Sequence, residues 1–152
     1  MRSLLPPVAV ILGVLLAMPC YAGGLDDKTP DQQSIDALRL RASQASPREQ
    51  CFLYAELLHQ MTEYSLRLYS DGNLEKAGSL LKEVQQLARK IHLSLAEDNK
   101  RLKNAEILLR HTAFRLKEMM HSSAIDDQQL VASTLDEVNK VQTQTMMAVF
   151  RK

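Results

Sequence analysis

Two stretches hold residues of a type and spacing that chemistry needs. Glu56-Leu57-Leu58-His59 and Glu118-Met119-Met120-His121 are both Glu-x-x-His. On a helix that spacing offers a carboxylate and an imidazole to a metal from one face. The apolar pattern around them argues against this use. Cys51, Tyr54, Leu58 and Met61 form the inner seam of the first stretch and leave Glu56 and His59 outside. In the second, Met119 faces inward, and Glu118 and His121 face out. Met119, Met120 and His121, joined by Met146 and Met147, are soft donors that suit cuprous ion. Antiparallel helices set the two methionine groups more than about 30 Å apart, so the methionines are expected to fill the core. Surface Glu and His are therefore the first reading. A metal-binding or catalytic helical bundle using the Glu-x-x-His residues is the second.

No glycine-rich phosphate loop, paired cysteines or nucleophile elbow accompanies these residues. The expectation is a protein without catalytic site, metal or cofactor that acts by binding. One charge pattern fits that role. Lys82, Arg89, Lys103, Arg110 and Lys117 share one heptad position, interrupted only by Ala96. Between Lys82 and Lys117 there are nine basic and four acidic residues, and the flanking segments are acidic. The plain reading is a solvated face that pairs with acidic helices. The sharper one is a docking ridge for an acidic protein, anionic lipid headgroups or an envelope polymer. Nucleic acid is not expected, because aromatic residues do not interleave with the bases.

These residues must be positioned by helices. The chain has 152 residues, a formal net charge of +1, 45% hydrophobic residues and few Gly or Pro, which excludes collagen-like, disulfide-dense and disordered classes. Residues 1–22 read as a secretory signal peptide: Arg2 is the positive start, residues 4–18 are uncharged and apolar, and Cys20 and Ala22 are the small residues of a cleavage site. A lipidated Cys20 and an uncleaved anchor are the alternatives. Cleavage leaves one cysteine, Cys51, expected as a buried small hydrophobe. A flexible leader, 23–30, precedes an all-helical domain, 31–152.

The fold class is all-α. A first helix spans about 31–45, with Ile35, Leu38 and Ala42 on one face. A second runs from Pro47 to Ser70, started by Ser46-Pro47 with Glu49 and ended by Asp71-Gly72-Asn73. A last helix covers 125–150 and carries Val131, Leu135, Val138, Thr145 and Val149. Between them, apolar residues from Leu74 to Met119 keep one heptad phase, broken only by Asp98 and Thr112. That phase favours one continuous helix about 70 Å long with two antiparallel arms, which needs a second copy or partner to cover its seam. Ser94 with Glu97 is a competing start signal; a break there gives an up-down four-helix bundle.

Gly72-Asn73-Leu74-Glu75-Lys76-Ala77, between helices carrying Tyr64, Leu68, Leu81 and Ala88, resembles one tetratricopeptide-type hairpin. A single copy implies a helical hairpin and no more. In the last third, Leu102-Lys103-Asn104-Ala105-Glu106-Ile107, Arg110, Arg115-Leu116 and the ending Val149-Phe150-Arg151-Lys152 resemble a group of small exported all-helical proteins of soil bacteria. That resemblance carries no site residues. The expected function is an exported, non-catalytic interaction or scaffold module of the cell envelope, working through self-association or an envelope partner.

Overall fold

A computed structural model describes residues 29–95, 99–123 and 125–151; residues 1–28, on which the expected signal peptide and most of the expected leader fall, lie outside these. The described residues form five α-helices: α1 Gln32–Gln44, α2 Pro47–Ser70, α3 Leu74–Leu93, α4 Leu102–Ser122 and α5 Ile125–Phe150. Local chemistry accounts for most of their limits. Asp31 and Ser34 form a reciprocal capping box at the start of α1. Pro47 opens α2, where its missing N–H leaves no helical bond unmade. Gly72, at φ 79°, ends α2 in the left-handed region. The Asn73 and Gly72 N–H groups then donate to the Leu68 and Tyr69 carbonyls at 2.8 and 3.1 Å, the double closure of a Schellman turn.

The continuous helix expected over 74–119 does not form. α3 ends at Leu93, where the Ser94 N–H and hydroxyl turn back onto the last carbonyls. Ser94 thus stops one helix rather than starting the next. Neither Gly nor Pro makes this break. Arg101 takes a left-handed conformation at φ 56°, with its guanidinium over the Phe52 ring, 3.5 Å from the centroid. The Lys100 N–H donates to the Arg48 carbonyl at 2.8 Å, tying the connection to the start of α2. Ala96 to Asp98 fall outside the described residues.

The up-down bundle is therefore the observed alternative, with α1 added to it. α2 packs beside α3 and α4, α5 packs beside the same two, and α3 and α4 stand diagonally without packing on each other. Two antiparallel hairpins, α2–α3 and α4–α5, thus lie side by side with like helices parallel. Polar contacts between them keep one register. His59–Thr112, Glu63–Arg115, Gln85–Ser133 and Arg89–Glu137 each join residues 48 to 53 positions apart.

α1 runs antiparallel along α2. The Arg67 guanidinium holds Thr29 and the Pro30 carbonyl at one end, and Ile35, Leu38 and Ala42 are buried as the periodicity predicts. Nearly every residue of the predicted seam on α3 and α4 is buried; Leu74 is exposed and Leu95 half-buried. The buried threonines Thr62, Thr112, Thr134 and Thr145 each donate to the carbonyl four residues back in their own helix, so polar atoms enter the core without loss of partners.

Candidate functional site

The break after Leu93 divides the predicted basic ridge. Lys82 and Arg89 stand on α3, and Lys103, Arg110 and Lys117 on α4, which does not touch α3. All five are exposed. Arg89 reaches across to Glu137 on α5 at 3.2 Å, so this part of the ridge pairs with an acidic neighbour. On α4, Arg110 comes within 4.0 Å of Glu106 in its own helix, while Lys103 and Lys117 make no ion pair among the described residues. The α4 group carries an aromatic that sequence reasoning passed over. Phe114 lies four residues after Arg110 and three before Lys117, on the same outward face, and is 61% exposed. Its signal in the sequence is an aromatic off the heptad seam between two bases.

A second feature was not legible before folding. The last turns of α1, the start of α2 and the connection to α4 enclose a groove of about 430 Å³. Leu40, Phe52 and Leu53 line its apolar wall, and Arg41, Lys100 and Arg101 its rim, against one carboxylate, Glu49. Lys100 approaches Glu49 at 3.9 Å.

The Glu-x-x-His residues meet different fates. His59 is not on the surface as predicted but half-buried, because α4 packs over that side of α2. The Thr112 hydroxyl gives its one hydrogen to the Leu108 carbonyl at 2.8 Å, so it accepts from His59 Nδ1–H at 3.0 Å. That geometry selects the Nδ1–H tautomer. Burial pushes the His59 pKa below its ordinary value, and electrostatic repulsion from His111 and Arg115 on α4 adds to the fall against the opposing pull of Glu63.

One helical turn further along, Arg115 donates to both Glu63 oxygens at 2.8 and 3.2 Å and to Glu118 at 2.6 Å. Bonds to Glu63 first, then to Glu118, hold its guanidinium firmly charged. Glu118 is thereby engaged, and His121 is exposed. Since His59 is level with Thr112, the two motifs sit about 14 Å apart along the bundle. No three His, Cys, Asp or Glu side chains gather as a metal set among the described residues.

The remaining candidates are also placed. Met119 is in the core, but Met146 and Met147, expected there too, are exposed at the opposite end of the bundle. They lie on the outward side of the last turns of α5, whose inner side, through Ala148 and Val149, still packs on the core. Cys51 is fully buried, and burial pushes its thiol up to about 11, leaving little thiolate to react.

The fold and these surfaces define a bundle of two antiparallel helical hairpins with exposed basic faces. Comparison with protein-family models, curated proteins and solved structures finds no match to this chain. No helix among the described residues is long and apolar enough to cross a membrane.

Proposed function

We propose that this chain is an exported, non-catalytic interaction module that presents the outer face of α4 to an acidic surface of an envelope protein. The observation that carries the reading is Phe114, an exposed aromatic set among Lys103, Arg110 and Lys117. Bases draw an acidic partner in, and an aromatic supplies the apolar contact that holds it. Export rests on the apolar segment that opens the sequence and on the small residues at Cys20 and Ala22.

The test uses protein isolated from its own cells without chelator. An intact mass beginning at Gly23 and the absence of bound metal are expected. Binding to poly-glutamate, the simplest acidic partner, should fall about tenfold when Lys103, Arg110 and Lys117 are changed together to Gln, with helicity and melting temperature kept. Stoichiometric iron or copper overturns the reading in favour of a metal-binding bundle. So does unaltered binding by a folded triple variant, which leaves this face merely solvated.

A further inference from the structure

The two ends of the bundle differ in chemistry. At one end α1, α3 and α5 finish and α2 and α4 begin. At the other lie the turns after α2 and α4 and the start of α1. Among the described residues, Leu40, Leu93, Met146, Met147 and Phe150 are exposed large apolar side chains at the first end, and Leu74 is the only one at the second. Charge divides the same way. The described residues of segments 40–50, 90–103 and 146–151 include seven basic and one acidic, while those of 29–34, 67–77 and 117–130 include three basic and six acidic. The bundle is thus positive and apolar at one end and negative at the other.

The positive end also has relief. Gln142 on α5 is level with Glu106 on α4, to which it donates at 2.9 Å. Met146 is then level with Leu102, and Phe150 stands about 6 Å further out. Leu93 is 83% and Phe150 82% exposed. Single exposed apolar residues are ordinary on a protein surface. Five on one end, interspersed with bases, make the pattern by which peripheral proteins engage an anionic lipid surface: apolar side chains enter among the headgroups while Lys and Arg neutralise phosphate.

We propose that this end of the bundle docks on an anionic lipid bilayer, with Leu93 and Phe150 entering the headgroup layer. A second copy fits less well. Like ends repel, and a head-to-tail pair sets five apolar residues against an end where, among the described residues, Leu74 alone is an exposed large apolar side chain. The proposal rests on the binding-module reading but uses a different surface from Phe114. A bundle seated on its end leaves the α4 face pointing sideways, free for a protein partner.

Co-sedimentation with vesicles tests it, using equal parts of phosphatidylglycerol and phosphatidylcholine, or phosphatidylcholine alone. The full chain should bind the mixed vesicles in a salt-sensitive manner and the neutral ones poorly. Leu93→Ser with Phe150→Ser, and separately Lys90→Gln with Lys100→Gln, should each weaken binding about tenfold. Every variant carries the same N-terminus, so any contribution from it cancels. Leu74→Ser, at the far end, and Phe114→Ser with Lys117→Gln, on the α4 face, should bind as the parent does. If the α4 variant alone loses binding, the end is the wrong surface, although the binding-module reading stands. Failure of the parent to bind the mixed vesicles overturns lipid docking outright. So does self-association of the parent, by sedimentation, that Phe150→Ser abolishes, since it assigns the end to a second copy.

Discussion

α2 and α5 are alike in length, 24 and 26 residues, and each is one arm of a hairpin, yet their surroundings differ. No residue of α2 from Gln50 to Tyr69 is exposed, because α1, α3 and α4 all pack on it. α5 packs on α3 and α4 only, and keeps an outward face through Ser133, Asp136, Lys140, Thr143 and Met147. A third neighbour changes what a helix can do. The enclosed one organises the core and has no face left to offer. The hairpin without such cover, α4–α5, carries Phe114 and Phe150, two of the three apolar residues for which we propose binding roles; the third, Leu93, is the last residue of α3.

The largest expected effect tests whether the difference is energetic. Leu58 is fully buried in α2, and truncation leaves a cavity walled by several helices. Leu58→Ala should cost about 2–5 kcal/mol, a large share of the stability of a domain this size. Phe150→Ala, at the exposed end of α5, should stay within about 0.5 kcal/mol. Urea unfolding followed by circular dichroism reads both. Equal losses would mean that enclosure of α2 has no energetic consequence.

Much of this contrast was legible in the sequence, and the exceptions have physical causes. The limits of α2 and α5 follow from Pro47, Gly72 and the Ser122-Ser123 break, which are local. The division of α3 from α4 is not local. Ile91 and Leu102 are eleven residues apart, a heptad plus four, so the apolar phase continues across the connection as though the helix did. Ser94 closes the last turn of α3 locally, but what turns the chain away is Arg101 over Phe52 and Lys100 bonded to Arg48, contacts that exist only after α2 is in place. The same gap explains His59. A heptad reading treats a helix as having one inner seam, and α2 has neighbours on several sides. The basic ridge was legible as residues but not as a surface, since its straightness depended on an unbroken helix.

A second test concerns pH and the contact between the hairpins. His59 is half-buried between α2 and α4, and its pKa is lowered chiefly by that burial. In the unfolded chain it titrates near its ordinary value, about 6.5. As pH falls through that value, the unfolded chain takes up a proton before the folded one, so protonation favours unfolding. The stability due to a neutral His59 is therefore complete above about pH 6.5 and declines below it. Melting temperature should drop as pH is lowered from 7 toward 5, and His59→Gln should flatten that part of the profile. An unchanged slope in the variant would show that His59 is solvated as it titrates, and α4 would then cover α2 less closely than α3 does.

The smallest effects come from two glycines, and their opposite signs separate a hairpin's own turn from the contact between hairpins. Gly72 closes the α2–α3 turn at φ 79°, with nothing within 4 Å of the place a Cβ would occupy. Space is not the obstacle there; the left-handed backbone is. Gly72→Ala should therefore destabilise by about 1 kcal/mol. Gly78 is inside α3, in helical conformation, where glycine costs about 0.5–1 kcal/mol relative to alanine. A Cβ added at Gly78 would lie 3.5 Å from Leu130 Cδ2 on α5, an ordinary van der Waals contact. Gly78→Ala should then stabilise by about 0.5–1 kcal/mol, through backbone entropy and a filled contact. The two variants, compared by denaturant midpoint, should move in opposite directions. If Gly78→Ala is destabilising, α3 and α5 approach too closely to admit one methyl group, and the joint between the hairpins is as tightly fitted as the core around α2.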